Sequence, residues 1–354
     1  MDLKELLKLS IEQRASDVHL TEQSPPVLRI DGKLQLLQGE EKLTKDVLKK
    51  TIYGILNDAQ KEKFEKDKEL DFSLALDGLD RFRVNIHIQK GSVEAAFRRI
   101  PVYVPNINEL GLPESIIQFA RRPNGLVLIT GPTGSGKTTT LAALIDLINE
   151  ERKCMITLIE DPIEYVHKNK NSVVKQREVY ADTHSFAEAL KRCLRQDPDV
   201  IVVGEMRDLE TISTALTAAE TGHLVLATLH TPDAAQTIER IIDAFPSHQQ
   251  QQIRLQLSAS LQGVVSQTLL PRAEGEGRVL ATEVLVCTPA VRNLIRERAV
   301  EQIPNAIQTG NQYGMHTMDS CLKDLYEQGI ITYEDALEKV KNIEEFKHLL
   351  GEFE

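Results

Sequence analysis

Apolar and polar residues alternate along the first hundred positions in the manner of short strands. In the segment 81–88 every second residue is apolar, which predicts a strand with one buried and one polar face. Segments 27–30 and 33–36 flank Asp31-Gly32, a pair that supplies the positive φ angles of a two-residue hairpin turn. The Lys- and Glu-rich stretch 41–69 predicts two exposed helices. Together these elements predict a small α+β domain.

From about residue 107 the pattern changes to short apolar runs that alternate with segments of helical periodicity. This alternation is typical of a parallel sheet with crossover helices. The predicted strands are 126–130, 155–159, 200–204 and 224–229. The predicted helices lie near 186–195, from about 209 to Gly222, and from an N-cap at Thr231 with Pro232 at the first helical position. The region from 247 onward is predicted to be mostly helical, with one strand near 278–286.

Two prolines separate the two patterns. They lie in the segment Ile100–Asn106, where each proline disfavours continuation of regular structure. A chain of 354 residues also suits two domains better than one. We therefore predict a first domain of residues 1–100, a linker of 101–110, and a second domain of 111–354.

Composition narrows the class of protein. The net charge of −11 argues against a protein that mainly coats nucleic acid. Four cysteines are scattered without a CxxC pair, which favours neither a zinc site nor a disulfide framework. The N-terminus does not resemble a signal peptide, and no apolar run approaches the roughly 20 residues of a membrane span. We expect a cytoplasmic protein.

The segment Gly131–Thr138 fits the phosphate-loop pattern GxxxxGK[ST]. A predicted strand precedes it and a predicted helix follows, so unpaired N–H groups and the positive end of the helix dipole converge on one point. Lys137 would reach the terminal phosphates, and the Thr138 hydroxyl would bind Mg²⁺. The expected ligands are ATP and Mg²⁺. The candidate nucleotide-binding residues are Gly131, Pro132, Thr133, Gly134, Ser135, Gly136, Lys137, Thr138 and Thr139.

Carboxylates end two of the predicted strands. Strand 200–204 is followed by Glu205, and because Gly204 stands where a metal-binding aspartate is often found, Glu205 is predicted to polarise water. The strand 155–159 is followed by Glu160, Asp161 and Glu164, at the edge where open parallel sheets bind ligands. Glu160 and Asp161 are candidate metal ligands, and Glu160 and Glu164 are alternative catalytic groups. A solvated turn is the other interpretation of this acidic cluster.

Histidines and arginines complete the candidate site. His223 and His230 bracket the strand 224–229 and lie at its opposite ends, so they cannot act as a pair. His230, at the C-terminal end, is predicted to sense the γ-phosphate, and His223 fits a subunit or domain contact. Developing phosphoryl charge is commonly neutralised by an arginine finger. The candidates are Arg81, Arg83, Arg195 and Arg207, and for each a surface salt bridge is an equally good interpretation.

Four segments in this order resemble the Walker A, Asp, Walker B and His boxes of the secretion-type ATPases, the motors of type II secretion and type IV pili. They are Gly131–Thr138, Ile159–Glu164, Arg195–Asp208 and Thr221–Thr231. The segment Ala15–Leu20 resembles the start of that family's N-terminal domain, so the resemblance covers nearly the whole chain. It implies a RecA-like P-loop ATPase domain with a mostly parallel sheet, preceded by a small α+β, PAS-like domain. It further implies a homohexamer with ATP between the two domains, and Arg81 and Arg83 as the arginine fingers.

Residues Ala290–Glu297 resemble the AIRNLIRE motif of the family's pilus-retraction branch, with Val291 in place of isoleucine. This resemblance implies a retraction motor for twitching motility, peripheral at the inner membrane through a pilus platform protein. From spacing alone, the segment is an amphipathic helix capped by Thr288-Pro289, with Val291, Leu294 and Ile295 inward and Arg292, Arg296 and Glu297 outward.

Three alternatives remain open from the sequence. A pilus-assembly or type II secretion ATPase of the same family is the main one. A DNA translocase is disfavoured, because its channel would be basic and lined with aromatics, whereas this chain has 5% aromatic residues, no Trp and a negative charge. A non-hydrolysing nucleotide-binding scaffold is disfavoured because Lys137 and Glu205 are both present.

Overall fold

The structure, a computed structural model, describes residues 2–30, 33–75, 80–100, 104–274 and 277–351. It divides into two compact units. The first comprises Met1–Tyr103 with Pro162–Val166, and the second comprises Val104–Asp161 with His167–Glu354. Residues 101–103 of the predicted linker lie outside the described residues.

The first unit contains a six-stranded antiparallel sheet with strand order β3-β2-β1-β6-β5-β4. Its helices and strands are α1 (Leu3–Glu12), β1 (Asp17–Leu20), β2 (Val27–Ile30), β3 (Lys33–Leu36), α2 (Lys45–Tyr53), α3 (Asp58–Asp67), β4 (Glu69–Ala75), β5 (Arg81–Gln89) and β6 (Ser92–Ile100). The pairing of Ile30 with Lys33 confirms the predicted hairpin, although its turn residues Asp31-Gly32 lie outside the described residues. The two helices predicted in 41–69 are α2 and α3.

Alternation along β5 builds much of the core of this unit. Phe82, Val84 and Ile86 are fully buried, as the pattern predicts, and they cluster with side chains from the helices. Ile88 departs from the prediction, because its side chain is 39% exposed near the end of the strand. The buried face of this sheet therefore ends before the strand does.

The second unit contains a seven-stranded sheet with strand order β13-β12-β7-β11-β10-β8-β9. Its elements are α4 (Glu114–Ala120), β7 (Gly125–Thr130), α5 (Lys137–Glu151), β8 (Met155–Glu160), β9 (Val173–Glu178), α6 (Phe186–Cys193), β10 (Val200–Val203), α7 (Leu209–Glu220), β11 (Leu224–Leu229), α8 (Ala234–Asp243), α9 (Ser247–Ser260), β12 (Leu261–Pro271), β13 (Arg278–Val286), α10 (Pro289–Arg296), α11 (Ile303–Gln308), α12 (Met318–Glu327), α13 (Tyr333–Leu337) and α14 (Ile343–Leu350). All neighbouring strands pair in parallel except β12 with β13.

The four predicted strands form the middle of this sheet as β7, β8, β10 and β11. Alternate residues of these strands belong to two different hydrophobic clusters, one on each face of the sheet. Burial on both faces explains why the strands are continuous apolar runs rather than alternating ones. A mixed, mostly parallel α/β sheet is confirmed. Its parallel arrangement places the C-terminal ends of β7, β11, β10 and β8 along one edge.

Two strands of this sheet, β9 and β12, were not predicted from the sequence. β9 carries polar residues along most of its length, as expected for the edge strand that it is. The region after 247 is mostly helical and its predicted strand near 278–286 is β13, but the expectation of a single strand is wrong, since β12 pairs in parallel with β7 and antiparallel with β13. β12 begins at the residue after the end of α9, with no glycine or proline at the junction to indicate a change of structure.

Helix starts are confirmed in two places and corrected in a third. Ser185 and Thr288 cap α6 and α10 by accepting hydrogen bonds from Glu188 N and Val291 N, in agreement with the predicted helix start near 186 and the predicted cap at Thr288. The predicted start at Thr231-Pro232 is wrong, because α8 begins at Ala234 with Asp233 as its N-cap. The Ala234 N–H donates to Glu283 Oε1 on β13 at 2.9 Å, so a distant carboxylate helps to set this start.

Helix α10 packs differently from its simple amphipathic pattern. Val291 and Ile295 are fully buried, as predicted, and Leu294 packs against the same cluster while partly exposed. Arg292 does not face away from the protein. Its Nη1 donates to the carbonyl oxygens of Ser258 at 2.5 Å and Ala259 at 2.7 Å, in the last turn of α9. An arginine of the segment 290–297 therefore caps a neighbouring helix.

No helix within the described residues is both long enough and apolar enough to cross a membrane.

Candidate functional site

The phosphate loop connects β7 to α5, as predicted. Gly131 has a φ of +138°, and a Cβ there would lie 2.3 Å from the carbonyl oxygen of Gln267 on β12. Only glycine fits this position. Gly136 is the N-cap of α5, so the free N–H groups of the first helical turn face the loop. The local structure is the anion-binding arrangement that the sequence indicates.

Lys137 lies inside the curve of the loop. Its side chain is largely buried, and Nζ donates to the carbonyl oxygens of Gly131 at 2.8 Å and Pro132 at 2.9 Å. Burial of an ammonium group is costly unless dipoles or an anion compensate it. The loop therefore holds a positive charge at its centre, where a phosphate group would be stabilised.

Strand β12 holds the segments that precede and follow the phosphate loop, a role that the sequence analysis missed. Gln267 Nε2 donates to Thr140 Oγ1 in α5 at 2.8 Å, and Thr130 Oγ1 at the end of β7 donates to Ser266 Oγ at 2.9 Å. All four side chains are buried. These bonds join the strand before the loop and the helix after it to one neighbouring strand, so the loop is held from both sides.

Glu205 lies two residues beyond the end of β10, at the predicted edge of the sheet. Its Oε2 lies 2.7 Å from Arg207 Nη2, and its Oε1 lies 3.4 Å from His230 Nε2. Burial raises the pKa of Glu205, but the hydrogen bond from Arg207 and the nearby His230 ring outweigh burial, and the pKa lies below its ordinary value. Glu205 is therefore ionised at neutral pH, the form that can orient or deprotonate water.

The two histidines lie at opposite ends of β11. His230 contacts Glu205. A role of His230 at the γ-phosphate would therefore involve this carboxylate as well. His223 Nδ1 lies 2.9 Å from the carbonyl oxygen of Ala218, near the end of α7. Its predicted role in a subunit or domain contact stays a prediction.

The acidic residues at the end of β8 and after it have different surroundings in the structure. Glu160 Oε2 accepts a hydrogen bond from Gln176 Nε2 on β9 at 2.9 Å. Asp161 is exposed, whereas Glu164 is an exposed residue of the first unit. After the hydrogen bond and charge of Glu205, the charge of Asp161 further raises the pKa of Arg207. Asp161, Arg207 and Glu205 therefore share one electrostatic environment.

Close packing explains the glycine at the end of β10. A Cβ at residue 204 would lie 3.1 Å from the carbonyl oxygen of Ile159 and 3.3 Å from the Cα of Glu160. Both distances are tighter than ordinary van der Waals contact, so an aspartate at this position would require the end of β8 to shift by a few tenths of an ångström. A metal-binding carboxylate must therefore come from elsewhere.

The remaining candidates have different surroundings. Arg81 and Arg83 lie on β5 of the first unit, whereas the loop belongs to the second, and their role as fingers stays a prediction. Arg195 is exposed just after α6 and also stays a prediction. For Arg207 the structure shows the alternative interpretation, an ion pair with Glu205.

The side chains present fit Mg²⁺ held mainly by a nucleotide. Thr138, the second residue of α5, is half-buried beside the loop. Across the described ranges, no group of three or more His, Cys, Asp or Glu side chains could hold a metal ion by itself. Mg²⁺ usually takes one or two protein ligands together with substrate phosphates and water. A single hydroxyl at the loop suits that mode. Because β11 and β10 separate β7 from β8, the assignment of Glu160 and Asp161 as metal ligands stays a prediction.

Comparisons with known proteins agree with this arrangement. The sequence model of the family described as "Type II/IV secretion system protein" matches residues 1–340. The chain is 51% identical over 346 residues to the "Type IV pilus retractation ATPase PilT" of Pseudomonas aeruginosa, covering 98% of this chain and 100% of that protein. It is 48% identical to a "Twitching motility protein" of Neisseria gonorrhoeae, covering 90% and 85% of the two chains.

Solved structures show the same likeness. The crystal structure described as "the Pilus Retraction Motor PilT and Bound ADP" matches with a TM-score of 0.93 and 48% identity, covering 98% of this chain and 99% of that one. The ATPase DotB of Legionella pneumophila matches with a TM-score of 0.77 and 29% identity, covering 95% and 94%. The predicted resemblance to the retraction branch is confirmed.

Proposed function

The chain belongs to the type II/IV secretion system protein family, and on that premise we propose that it is an ATPase that powers retraction of type IV pili, the basis of twitching motility. One observation carries the proposal. A phosphate loop with a buried lysine and an ionised carboxylate, Glu205, lie at the same edge of the sheet. The chain that carries them is 51% identical, over 98% of its length, to a pilus retraction ATPase. Comparable likeness to a retraction motor crystallised with ADP supports nucleotide binding.

Binding of ATP follows from the loop. N–H groups at the start of α5 would hold the phosphates of the nucleotide, with Gly131–Thr139 as the contact segment. Lys137, which now bonds two loop carbonyls, would supply its charge to the terminal phosphates. Mg²⁺ would be held by Thr138 with Glu160 or Asp161, and when bound it would neutralise charge on the phosphates.

Hydrolysis needs an ionised group that orients water, and Glu205 meets that need. Its low pKa keeps it charged, and Arg207 and His230 fix both of its oxygens. His230 would in turn couple this carboxylate to the γ-phosphate. Glu160 and Glu164 are the alternatives for water activation, and Glu160 Oε2 accepts a hydrogen bond from Gln176.

The assembly of the motor extends the proposal. We propose a homohexamer in which residues 1–100 and 111–354 act as separate domains, the first of PAS-like type, with Arg81 and Arg83 as arginine fingers. The ring would act on the cytoplasmic side of the inner membrane, on a pilus platform protein. Nucleic acid has no role in this scheme.

Two experiments test the function. Purified protein should release phosphate from ATP in the presence of Mg²⁺, and failure to do so would exclude an ATPase. Deletion of the gene should leave surplus surface pili without twitching motility. Loss of pili would instead indicate the alternative, a pilus-assembly or type II secretion ATPase of the same family. Unchanged pili and motility would exclude both.

A further inference from the structure

Thr228, near the end of β11, forms hydrogen bonds on both sides of Glu205. Its Oγ1 donates to the carbonyl oxygen of Gly204 at 2.5 Å, and its own carbonyl oxygen accepts from Met206 N at 3.1 Å. The side chain is only 5% exposed, so water competes poorly for these bonds. One residue thus holds the backbone immediately before and immediately after the proposed catalytic carboxylate.

The position of these bonds matters because the regular sheet has already ended. The β10–β11 ladder pairs Val203 with Ala227 as its last register, so residues 204–206 lie beyond strand β10. Chain that leaves a strand end is usually free to move. Here β11 binds one residue further along the chain than the ladder does. It does so through a side-chain group, the Thr228 hydroxyl, rather than through its backbone. Gly204 N also donates to the Ile159 carbonyl at 2.8 Å, which fixes the preceding peptide from the β8 side.

The same strand holds the carboxylate itself. Two residues beyond Thr228, His230 Nε2 lies 3.4 Å from Glu205 Oε1. The end of β11 therefore fixes the backbone of Glu205 through Thr228 and its side chain through His230. Arg207 contacts the other carboxylate oxygen from the exposed side.

We propose that Thr228 is a positioning residue for ATP hydrolysis, acting through the Gly204 carbonyl to hold Glu205 in place beside His230. The inference rests on the proposed ATPase function. It assigns Thr228 no contact with the nucleotide, and it concerns the rate of the chemical step rather than binding at the phosphate loop. A misplacement of about 1 Å in a catalytic group can cost roughly 10²-fold in rate.

The test compares three variants by steady-state ATP hydrolysis. Thr228→Val replaces the hydroxyl with a methyl group of similar volume. Thr228→Ser keeps the hydroxyl. Thr157→Val is the matched control, because Thr157 is a fully buried threonine of the same sheet, on β8, whose hydroxyl has no hydrogen-bond partner in the described part of the chain.

We expect Thr228→Val to lower kcat at least ~10-fold, with KM for ATP within about twofold of the wild type. Thr228→Ser should retain most of the wild-type kcat, and Thr157→Val should be close to the wild type. If Thr228→Val does not fold, Thr228→Ala removes the same hydroxyl without adding a methyl group and is expected to show the same kcat loss.

Several outcomes would overturn the proposal. Wild-type kcat in both Thr228→Val and Thr228→Ala would show that the hydroxyl has no role. Equal losses in Thr228→Val and Thr157→Val would indicate general damage to the sheet. A raised KM at unchanged kcat would move Thr228 to nucleotide binding. These results all require a wild-type protein that hydrolyses ATP; a wild type without hydrolysis would overturn the proposed function and this inference together.

Discussion

Replacing Arg292 should destabilise the protein without changing the nucleotide site. In the Arg292→Met variant the apolar stem survives, but the two hydrogen bonds to the Ser258 and Ala259 carbonyls are lost. Hydrogen bonds that involve a charged group contribute about 1.5–3 kcal/mol each when well buried. Arg292 is only half-buried and the freed carbonyls partly reach water, so a total of about 2 kcal/mol is the better figure.

That free energy predicts a measurable shift in melting temperature. For a domain of about this size each kcal/mol corresponds to roughly 2–4 °C, so Arg292→Met should lower Tm by about 4–8 °C. The matched control is Arg296→Met, one turn further along α10, where the exposed side chain has a single 3.4 Å contact to Asn293 Oδ1. A surface change of this kind usually stays within about 0.5 kcal/mol.

The assay is thermal unfolding of both variants, with ATP hydrolysis measured well below either Tm. Arg292→Met should melt earlier than Arg296→Met and hydrolyse ATP at nearly the wild-type rate. Equal melting temperatures would refute the capping role of Arg292. Normal stability combined with a large loss of hydrolysis would place this arginine in the catalytic machinery instead.

Three further predictions concern the nucleotide site. Lys137→Ala should abolish hydrolysis and weaken ATP binding while leaving Tm nearly unchanged; normal turnover would remove the phosphate loop from the mechanism. Glu205→Gln should bind ATP but hydrolyse it at least ~10²-fold more slowly, because the shape is kept and the charge is lost; a much larger loss in Glu160→Gln would place water activation on β8. Arg81→Ala or Arg83→Ala should lower kcat far more than ATP affinity, and mixing either variant with Lys137→Ala subunits should restore partial activity if the finger acts between chains.

The nucleotide site could be predicted in large part from sequence because its elements are local. The phosphate loop is one continuous segment, and Lys137 acts within six residues of the carbonyl it bonds. The central strands are also predictable, since burial on both faces requires apolar runs. Caps such as Thr288 need only a side chain and a backbone N–H three residues away.

The sequence by itself determined that this chain carries a phosphate loop, a carboxylate, Glu205, after a later buried strand, and the alternation of strands and helices that brings them to one edge of a sheet. Tertiary structure alone decided which distant residues hold the ends of the strands and helices. Thr228 meets a carbonyl 24 residues earlier, Arg292 meets one 34 residues earlier, and Glu283 sets the start of a helix 49 residues away. Such contacts leave no periodic or short-range pattern, because a hydrogen bond depends on distance in space, and only the packed sheet brings those residues within reach.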